Sequence, residues 1–496
     1  MRKVTNVSLS QDNDDKPPPT CSAGPVFSGI LIPLYNVNKD TMKKRYTVHI
    51  EKLVFGGQGL TRLGDVGDRH FNNKIVFVWN ALPGEEVEID IIKNKKTYLE
   101  AIAVNILKPS QERMKPNDVS FLSTSAWQIL TPERENYWKR AIAAETYSKI
   151  GDLILSPDML DIGYDGNDFG YRNKVEFTFC SPYFFERNTL TTENRISMRP
   201  APADDTISLA FFERGGRIRF AVKSSFLSAK SINTTAQYIL SWINTVHIPI
   251  RSLKSLIVRT NTAGQTISAV FLKDALSFDT YPKCTDSLVG FQLYYSTHKS
   301  PASVPTSLLY STGQDFLIQD ILGTKLKFGM LSFFQINRQV FEMALKDIAA
   351  FLDPKKPLVD FYAGVGAISL PLAMNREETI LVESNEEAVA YAKENIALNN
   401  IEHVVAHCMP AEQMLDVITS DRQIILDPPR AGLHEDVTNK LLAVRPERII
   451  YLSCNLSTQA RDMKRLSEVY TPIFLKLYNF FPRTPHIEGL VVLERM

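Results

Sequence analysis

A cysteine close to the C-terminus lies where a thiol could do chemistry. In YLSCNLSTQARD (451–462), Cys454 follows an apolar run typical of a strand and precedes a polar helix start. A thiol near a helix start can be activated by the local positive potential. Its thiolate could attack the electron-poor C6 carbon of a pyrimidine, which turns C5 into a carbon nucleophile.

The other four cysteines carry no comparable signal. Cys180, Cys284 and Cys408 are expected to be small buried hydrophobes, and Cys21 lies in the N-terminal segment. No two cysteines have CxxC spacing. The sequence therefore predicts neither a zinc site nor a disulfide framework, and it suits a reducing compartment.

A general base would have to accompany such a thiol. If C5 takes a methyl group from a sulfonium donor, the proton on C5 must leave before the thiol can depart. The segment FPRTPHIEGLVVL (481–493) places His486 and Glu488 just before the last predicted strand. Considered alone, Glu488 is more typical of a solvated rim, so its role depends on lying beside Cys454.

A glycine loop and a downstream acid indicate a nucleotide-containing cofactor. VDFYAGVGAISLPLA (359–373) reads as strand, loop and helix, with Gly364 and Gly366 in the loop. Glu383 ends the next predicted strand, where an acid typically binds ribose hydroxyls. A complete GxGxxG and a P-loop are both missing from the sequence, which disfavours NAD and ATP.

A second acid stands before two prolines in IILDPPRAGL (424–433). Pro428 and Pro429 restrict the backbone and force the preceding residue to be extended. Asp427 is thereby held at a strand end. A double proline can simply break a helix, but here it favours a rigid wall for a substrate base.

The elements that position these residues predict several domains. Strand and helix patterns alternate through the last third of the chain, which indicates a doubly wound, Rossmann-like α/β domain. Ahead of it are strand patterns such as RISMRPAP (195–202), typical of a β-rich α+β domain, and an OB-like β-barrel. The predicted divisions are a tail (1–44), the barrel (45–108), a linker and helix (109–154), the central domain (155–325) and the α/β domain (326–496).

Composition sets the broad class. The chain has 496 residues, 44% hydrophobic residues and a net charge of +1, so nucleic-acid binding would depend on local patches. No apolar run is long enough to span a bilayer. A cytoplasmic protein without a membrane partner is expected, with a nuclear or organellar address left open.

Taken together, the motifs resemble those of the SAM-dependent RNA uracil-C5 methyltransferases, which form 5-methyluridine in tRNA or rRNA. The resemblance rests on SFFQINRQVFE (332–342), DFYAGVGAISLPLA (360–373), LVESNEEAVAYAKENIALN (381–399), LDPPRAGL (426–433), YLSCNLSTQARD (451–462) and TPHIEGLVVL (484–493). FGYRNKVEFTF (169–179) extends it into the central domain, and IEKLVFGGQGLTR (50–62) resembles the opening of a TRAM domain, an RNA-binding barrel.

The resemblance implies roles for particular residues. Cys454 is the implied nucleophile and Glu488 the implied base. The positions matching the S-adenosylmethionine pocket are Gln335, Tyr362, Gly364, Glu383 and Asp427, and those matching contacts to the target nucleotide are Phe333 and Arg430. The implied partner is RNA, with tRNA favoured and rRNA close behind, and a monomer is expected.

Three departures from the family pattern matter. Many relatives bind an iron–sulfur cluster, but residues 109–150 contain no cysteine, so we predict no cluster and no metal. Ala363 replaces the usual cysteine of the glycine loop, and Ala367 replaces a common polar residue. Leu456 stands where proline is usual.

Two alternatives remain open. Amino-methyltransferases acting on a base or an amide typically use Asn-Pro-Pro and an aromatic residue, whereas this chain has Asp427 before its prolines and Arg430 after them. A non-catalytic RNA-binding protein of the same fold would tolerate loss of Cys454 or Glu488, and both are present.

Overall fold

The structure is a computed structural model that describes residues 45–63, 73–118, 120–181, 206–216, 218–297, 303–373 and 376–496. The predicted tail (1–44) and the predicted strand at 195–202 lie outside the described residues. In the described ranges, no helix is both long and apolar enough to cross a membrane.

A six-stranded sheet forms the N-terminal region. Its strands are β1 (Tyr46–His49), β2 (Lys52–Leu53), β3 (Gly59–Arg62), β4 (Ile75–Trp79), β5 (Glu86–Asn94) and β6 (Tyr98–Lys108), in the order β1-β5-β6-β4-β3-β2. Tyr46 and Val48 are buried while the residues between and after them are exposed, which is the predicted period of two.

Two helices follow, α1 (Phe121–Thr124) and α2 (Pro132–Gly151), and then a short strand, β7 (Asp161–Gly163). The helix predicted within residues 109–154 is confirmed as α2, and Pro132 is its first residue. The Thr131 side chain caps it by accepting a hydrogen bond from Arg134 N at 3.2 Å.

The central region is a seven-stranded sheet with one helix. Its elements are β8 (Lys174–Cys180), β9 (Ser208–Phe212), β10 (Arg219–Ala221), α3 (Lys230–Thr245), β11 (Leu253–Thr260), β12 (Thr266–Leu272), β13 (Leu288–Tyr295) and β14 (Ser307–Gly313), with strand order β10-β9-β8-β11-β12-β13-β14. Ile232, Ala236, Ile239 and Ile243 recur at helical spacing and pack into the core of this sheet.

The C-terminal region contains an eight-stranded sheet flanked by helices. Its elements are β15 (Phe316–Ile321), β16 (Thr324–Gly329), α4 (Arg338–Ala350), β17 (Leu358–Phe361), β18 (Thr379–Glu383), α5 (Glu386–Leu398), β19 (Val404–Cys408), β20 (Gln423–Leu426), α6 (Glu435–Val444), β21 (Arg448–Ser453), α7 (Leu456–Leu466), β22 (Tyr470–Tyr478) and β23 (Glu488–Arg495). The strand order is β19-β18-β17-β20-β21-β23-β22-β7, with β15 and β16 forming a separate hairpin. The predicted multidomain α/β fold class is confirmed.

Parts of the C-terminal prediction are wrong. The helix expected after the glycine loop is a series of turns ending in a 3₁₀ turn at Leu370–Leu372. Pro371 lacks the N–H of a helix interior, and the positive φ of Gly364 and Gly366 keeps the loop non-helical. A helix pattern at AEQMLDVI (411–418) is also realised only as 3₁₀ turns at Ala411–Gln413 and Leu415–Val417, because so short a stretch gains little from forming a helix.

Strand β7 lies within the predicted central domain but pairs in parallel with β22, and therefore extends the C-terminal sheet. We propose that residues 161–163 belong structurally with the C-terminal domain. The other predicted boundaries stay predictions.

Candidate active site

The carboxyl ends of four neighbouring strands meet at one edge of the C-terminal sheet. Strands β18, β17, β20 and β21 run parallel and pair directly with one another. Glu383 ends β18, while Tyr362, Asp427 and Cys454 directly follow the other three strands. Ligands of open α/β sheets bind at this edge, so the structure brings these four predicted site residues together where a ligand would lie.

Cys454 and Glu488 face each other across two antiparallel strands. In the ladder between β21 and β23, Ser453 pairs with Gly489. The next pair outward is therefore Cys454 and Glu488, and directly opposed side chains in an antiparallel sheet are close neighbours. The predicted thiol and the predicted base thus share one end of the sheet.

The electrostatic environment of Cys454 differs from the prediction. Burial, together with the carboxyl groups of Glu488 and Asp427, raises the pKa of the Cys454 thiol to about 11, although Arg430 opposes the shift. The expected activation by a helix start is therefore wrong for this structure, because burial and two nearby acids outweigh it. Cys454 is a protonated thiol at neutral pH.

The two acids also hold protons more strongly than usual. Burial raises the pKa of Glu488 well above its ordinary value, and the neighbouring Asp427 adds to this shift. Burial and the nearby Asp360 raise the pKa of Asp427 to about 7. Burial lowers the pKa of His486 to about 4, so this imidazole is neutral and is a weak base.

The glycine loop on the other side of this edge offers backbone and carboxylate groups. Gly364 N donates a hydrogen bond to Glu383 Oε2 at 3.0 Å, and Asn385 N donates to Glu383 Oε1 at 2.8 Å. Gly364 has φ +57° and faces open space, since a Cβ there would meet no heavy atom within 4 Å. A ligand can therefore approach this backbone directly.

Cys454 lines a cleft of about 650 Å³ to which the N-terminal, central and C-terminal regions each contribute residues. Phe55 comes from the turn between β2 and β3, and Thr124 comes from α1. Lys174 belongs to the central sheet, and His486 to the segment between β22 and β23. The thiol is thus accessible from a cleft large enough for a sizeable ligand.

Comparison with known proteins agrees with this geometry. Residues 323–496 match the family model described as tRNA (Uracil-5-)-methyltransferase, and residues 41–104 match the model of the TRAM domain. The predicted similarity to the SAM-dependent RNA uracil-C5 methyltransferases, with an N-terminal TRAM domain, is confirmed over these two segments.

Similar proteins extend over nearly the whole chain. A protein of Bacteroides thetaiotaomicron named "Uncharacterized RNA methyltransferase" is 27% identical over 460 residues, covering 85% of this chain and 97% of that relative. One of the same name from Aquifex aeolicus is 28% identical, covering 90% and 97%. The crystal structure of Pyrococcus abyssi tRNA (uracil-54, C5)-methyltransferase with S-adenosyl-L-homocysteine has a TM-score of 0.69 at 20% identity, covering 90% of this chain and all of that one. This last similarity shows a shared fold.

The site of this methyltransferase fits S-adenosylmethionine. The exposed Gly364 backbone leaves room for the cofactor, and the Glu383 oxygens retain lone pairs for ribose hydroxyls after accepting their backbone hydrogen bonds. Tyr362 adopts φ +64°, an uncommon conformation for a non-glycine residue that turns the chain sharply after β17. These features support the predicted cofactor set.

Three further predicted site residues are Phe333, Gln335 and Arg430, and only Arg430 lines the cleft. Phe333 is 71% exposed, and Gln335 is buried with its carbonyl accepting a hydrogen bond from Asn173 Nδ2 at 2.9 Å. Neither lines the cleft beside Cys454. Arg430 does line it, and its carbonyl accepts a hydrogen bond from Asn455 Nδ2 at 2.8 Å.

Two of the other cysteines are exposed, contrary to expectation. Cys180 is buried as predicted, but Cys284 and Cys408 are exposed. Cys408 ends the edge strand β19, where the sheet does not cover it. In the described residues, no group of three or more His, Cys, Asp and Glu side chains is arranged to hold a metal ion. The expected absence of an iron–sulfur cluster stays a prediction.

A buried charged network positions the segment that leads to Glu488. Glu135 of α2 accepts hydrogen bonds from Arg483 N at 2.9 Å and Asn479 Nδ2 at 3.0 Å. Lys139 is fully buried, forms an ion pair with Glu135 at 2.9 Å and donates to Asn479 Oδ1 at 2.6 Å. Because buried charges require such partners, these bonds hold the segment between β22 and β23 against α2.

Sequence reasoning missed part of the cleft. Lys174 and Glu176 alternate along β8, and Arg172 continues the same spacing just before it, which was a usable signal for a polar face beside the site. No comparable sequence pattern indicated that Arg214 and Phe55 would line the cleft. They reach the cleft only because the TRAM domain and the central sheet pack beside Cys454.

Proposed function

We propose that the protein methylates C5 of a uridine in tRNA through a covalent adduct between Cys454 and the C6 carbon of the base. The observation that carries this proposal is the opposition of Cys454 and Glu488 across β21 and β23, beside a cleft open to RNA. A nucleophile and a base that lie opposite each other on adjacent strands can act on neighbouring carbons of one pyrimidine ring.

The first step joins the enzyme to the base. The Cys454 sulfur forms a bond to C6, and the electron pair of the C5–C6 double bond moves to C5 and the C4 carbonyl. The thiol proton passes to the Asp427 carboxylate, which is about half ionised near neutral pH because its pKa is about 7. Because the thiol loses its proton while it attacks, a free thiolate need not accumulate. Cys454 can therefore react although its pKa is high.

The later steps transfer the methyl group and release the product. S-adenosylmethionine would supply an electrophilic sulfonium methyl group. The C5 electron pair would form the new carbon–carbon bond as the bond between the sulfonium sulfur and the methyl carbon breaks, which would release S-adenosyl-L-homocysteine. Glu488, in its ionised form, then takes the C5 proton, the C5–C6 double bond forms again, and the bond between C6 and the Cys454 sulfur breaks. The departing thiolate regains its proton from Asp427. Burial makes Glu488 a stronger base than an exposed glutamate, which suits this step.

We assign the cofactor to the Gly364 side of the edge. Glu383 would bind the ribose hydroxyls, and the Gly364 backbone would approach the methionine end, with Tyr362 and Gln335 completing the pocket. Asp427 would lie between cofactor and uracil, because its strand β20 separates β17 from β21. Phe333 and Arg430 remain proposed contacts of the target nucleotide.

The proposed RNA is tRNA, with rRNA as the alternative to be tested. The family model and the Pyrococcus abyssi enzyme are both named for tRNA. The target uridine must leave its stack to reach Cys454, and this costs least in a loop. Cytoplasmic location and monomeric state stay predictions.

Mass-spectrometric mapping of 5-methyluridine tests the function. We expect one uridine in tRNA to lose its methyl group when the gene is deleted, and to regain it with the wild-type gene. The Cys454→Ala gene should not restore it, whereas Cys408→Ala, a cysteine two strands beyond β17 on the same sheet, should. Loss of the mark from rRNA alone would overturn the tRNA assignment, and an unchanged RNA would overturn the function.

A further inference from the structure

A turn of the TRAM domain forms one wall of the active-site cleft. Between β2 and β3 the chain reverses at Val54–Gln58, where Val54 N donates to Gln58 O at 3.0 Å and Gly57 N donates to Val54 O at 2.8 Å. Gly56 and Gly57 have φ +95° and +85°, which permit this reversal. Phe55 lies in this turn and lines the cleft.

The turn is held against the segment that leads to Glu488. A Cβ on Gly57 would lie 2.2 Å from Pro485 Cβ, so only glycine permits this close packing. Trp127 Nε1 donates a hydrogen bond to Gly57 O at 3.1 Å, and Trp127 N donates to Arg483 O at 3.0 Å. Phe55 therefore has a fixed position relative to the catalytic residues.

Phe55 leaves an aromatic face accessible in the cleft. Its side chain is 47% exposed, although the turn that carries it is packed on two sides. An exposed aromatic ring in a cleft that binds RNA is a platform on which a base can stack, and such stacking does not depend on base identity.

Cations accompany this ring in the same cleft. Arg172 and Lys174 line it from the central sheet, and Arg214 is held over the Trp79 ring of the TRAM domain at 4.2 Å. The Lys174 side chain makes no hydrogen bond or ion pair with the described residues, which leaves its ammonium group available for a ligand anion. Phosphate oxygens are the anions that RNA presents beside a stacked base.

The cleft has room for more than the target uridine. Its volume of about 650 Å³ is about twice the ~300 Å³ at the lower limit of small-molecule pockets. We propose that Phe55, Arg172 and Lys174 form a second nucleotide subsite, in which a base next to the target uridine stacks on Phe55 and its phosphate lies between the two cations. This inference rests on the proposed function and specifies how the same site holds RNA.

Substitutions at Phe55 test the stacking half of the proposal. The substrates are unmodified tRNA and rRNA isolated from cells that lack the enzyme. We expect Phe55→Ala to raise the KM for RNA about 10-fold and to leave the affinity for S-adenosylmethionine unchanged, because one base–aromatic contact is lost. Phe55→Tyr should restore the wild-type KM, whereas Phe55→Leu should behave like the alanine variant.

A matched control separates stacking from a general loss of structure. Phe212 is 48% exposed on β9 and does not line the cleft, so Phe212→Ala should leave the KM unchanged. Ultraviolet crosslinking of RNA to the wild-type enzyme, followed by peptide mass spectrometry, should identify the peptide that contains Phe55. Rescue by leucine, an unchanged KM in Phe55→Ala, or a crosslink elsewhere alone would overturn the subsite.

The salt dependence of RNA binding tests the phosphate half. Lys174→Gln should reduce the slope of log affinity against log salt concentration by about 1, as for loss of one phosphate contact. Lys355→Gln serves as the control, because Lys355 precedes β17 at the opposite edge of the sheet. An equal effect in both variants would contradict the proposal. If the wild-type enzyme methylates neither RNA, the proposed function itself fails, which distinguishes that outcome from failure of the subsite.

Discussion

The two halves of the active-site edge differ in the kind of chemical group that each presents to a ligand. On the β17 and β18 side, the main features are backbone groups and the Glu383 carboxylate, which accepts two backbone hydrogen bonds. On the β20, β21 and β23 side, the functional groups are the side chains of Asp427, Cys454 and Glu488, and all three hold protons more strongly than in water.

This difference corresponds to different tasks. A cofactor that must only be held in place can be bound by backbone geometry and a fixed carboxylate. Proton transfer needs groups whose pKa values are displaced from their ordinary range, and burial supplies that displacement. Substitutions on the Glu383 side should therefore change cofactor affinity, whereas substitutions on the Cys454 side should change the covalent chemistry.

The largest expected effect is loss of the thiol. Cys454→Ala should lower methyl transfer at least about 1,000-fold, because no other group can form the adduct. Its affinity for S-adenosylmethionine, measured by calorimetry, should remain that of the wild type. Cys408→Ala should retain activity. A parallel loss of cofactor affinity in Cys454→Ala would show that the two sides are not separable.

Loss of the Glu383 carboxylate should have a smaller effect, and it should act on cofactor affinity rather than on methyl transfer. Glu383→Ala should weaken S-adenosylmethionine binding about 10- to 100-fold, the cost of losing hydrogen bonds to a charged group. Calorimetry measures this affinity, and Glu386→Gln, an exposed neighbour at the start of α5, serves as the control. Unchanged affinity in Glu383→Ala would remove Glu383 from the proposed pocket.

The positions at the strand ends could be predicted because local patterns determine them. The alternation of apolar strands and helices predicts that Glu383, Asp427 and Cys454 lie at one edge of the sheet. The raised pKa of Cys454 could not be predicted, because it depends on burial and on an acid 34 positions away in the sequence. The buried pairing of Glu135 with Arg483 likewise joins residues far apart in the chain.

The cleft beside Cys454, which three regions of the chain line, could not be predicted from the sequence either. Phe55 and Arg214 become neighbours of the site only through domain packing, and no periodic pattern reports that packing. The helix predicted after the glycine loop does not form for a local reason, because Pro371 cannot donate the backbone hydrogen bond of a helix interior.

The smallest expected effect concerns stability and pH. The pKa of Asp427 is about 7 in the folded chain and near 3.8 when unfolded, so the folded state binds more protons between these values. The contribution of Asp427 to stability is therefore present below about pH 4 and is lost as the pH rises through about 7. Thermal unfolding should show that Asp427→Asn melts at a higher temperature than the wild type at pH 8, with the difference shrinking toward pH 5. A pH-independent difference would contradict the assigned pKa.

Trapping of the adduct tests the central claim most directly. Glu488→Gln retains the thiol but lacks the base, so its reaction should stop after methyl transfer. With unmodified tRNA from cells lacking the enzyme and radiolabelled S-adenosylmethionine, this variant should accumulate a labelled protein–RNA band that survives a denaturing gel. The Cys454→Ala, Glu488→Gln double variant should give no such band. Wild-type turnover without an adduct in Glu488→Gln, or an adduct that persists without Cys454, would contradict the account.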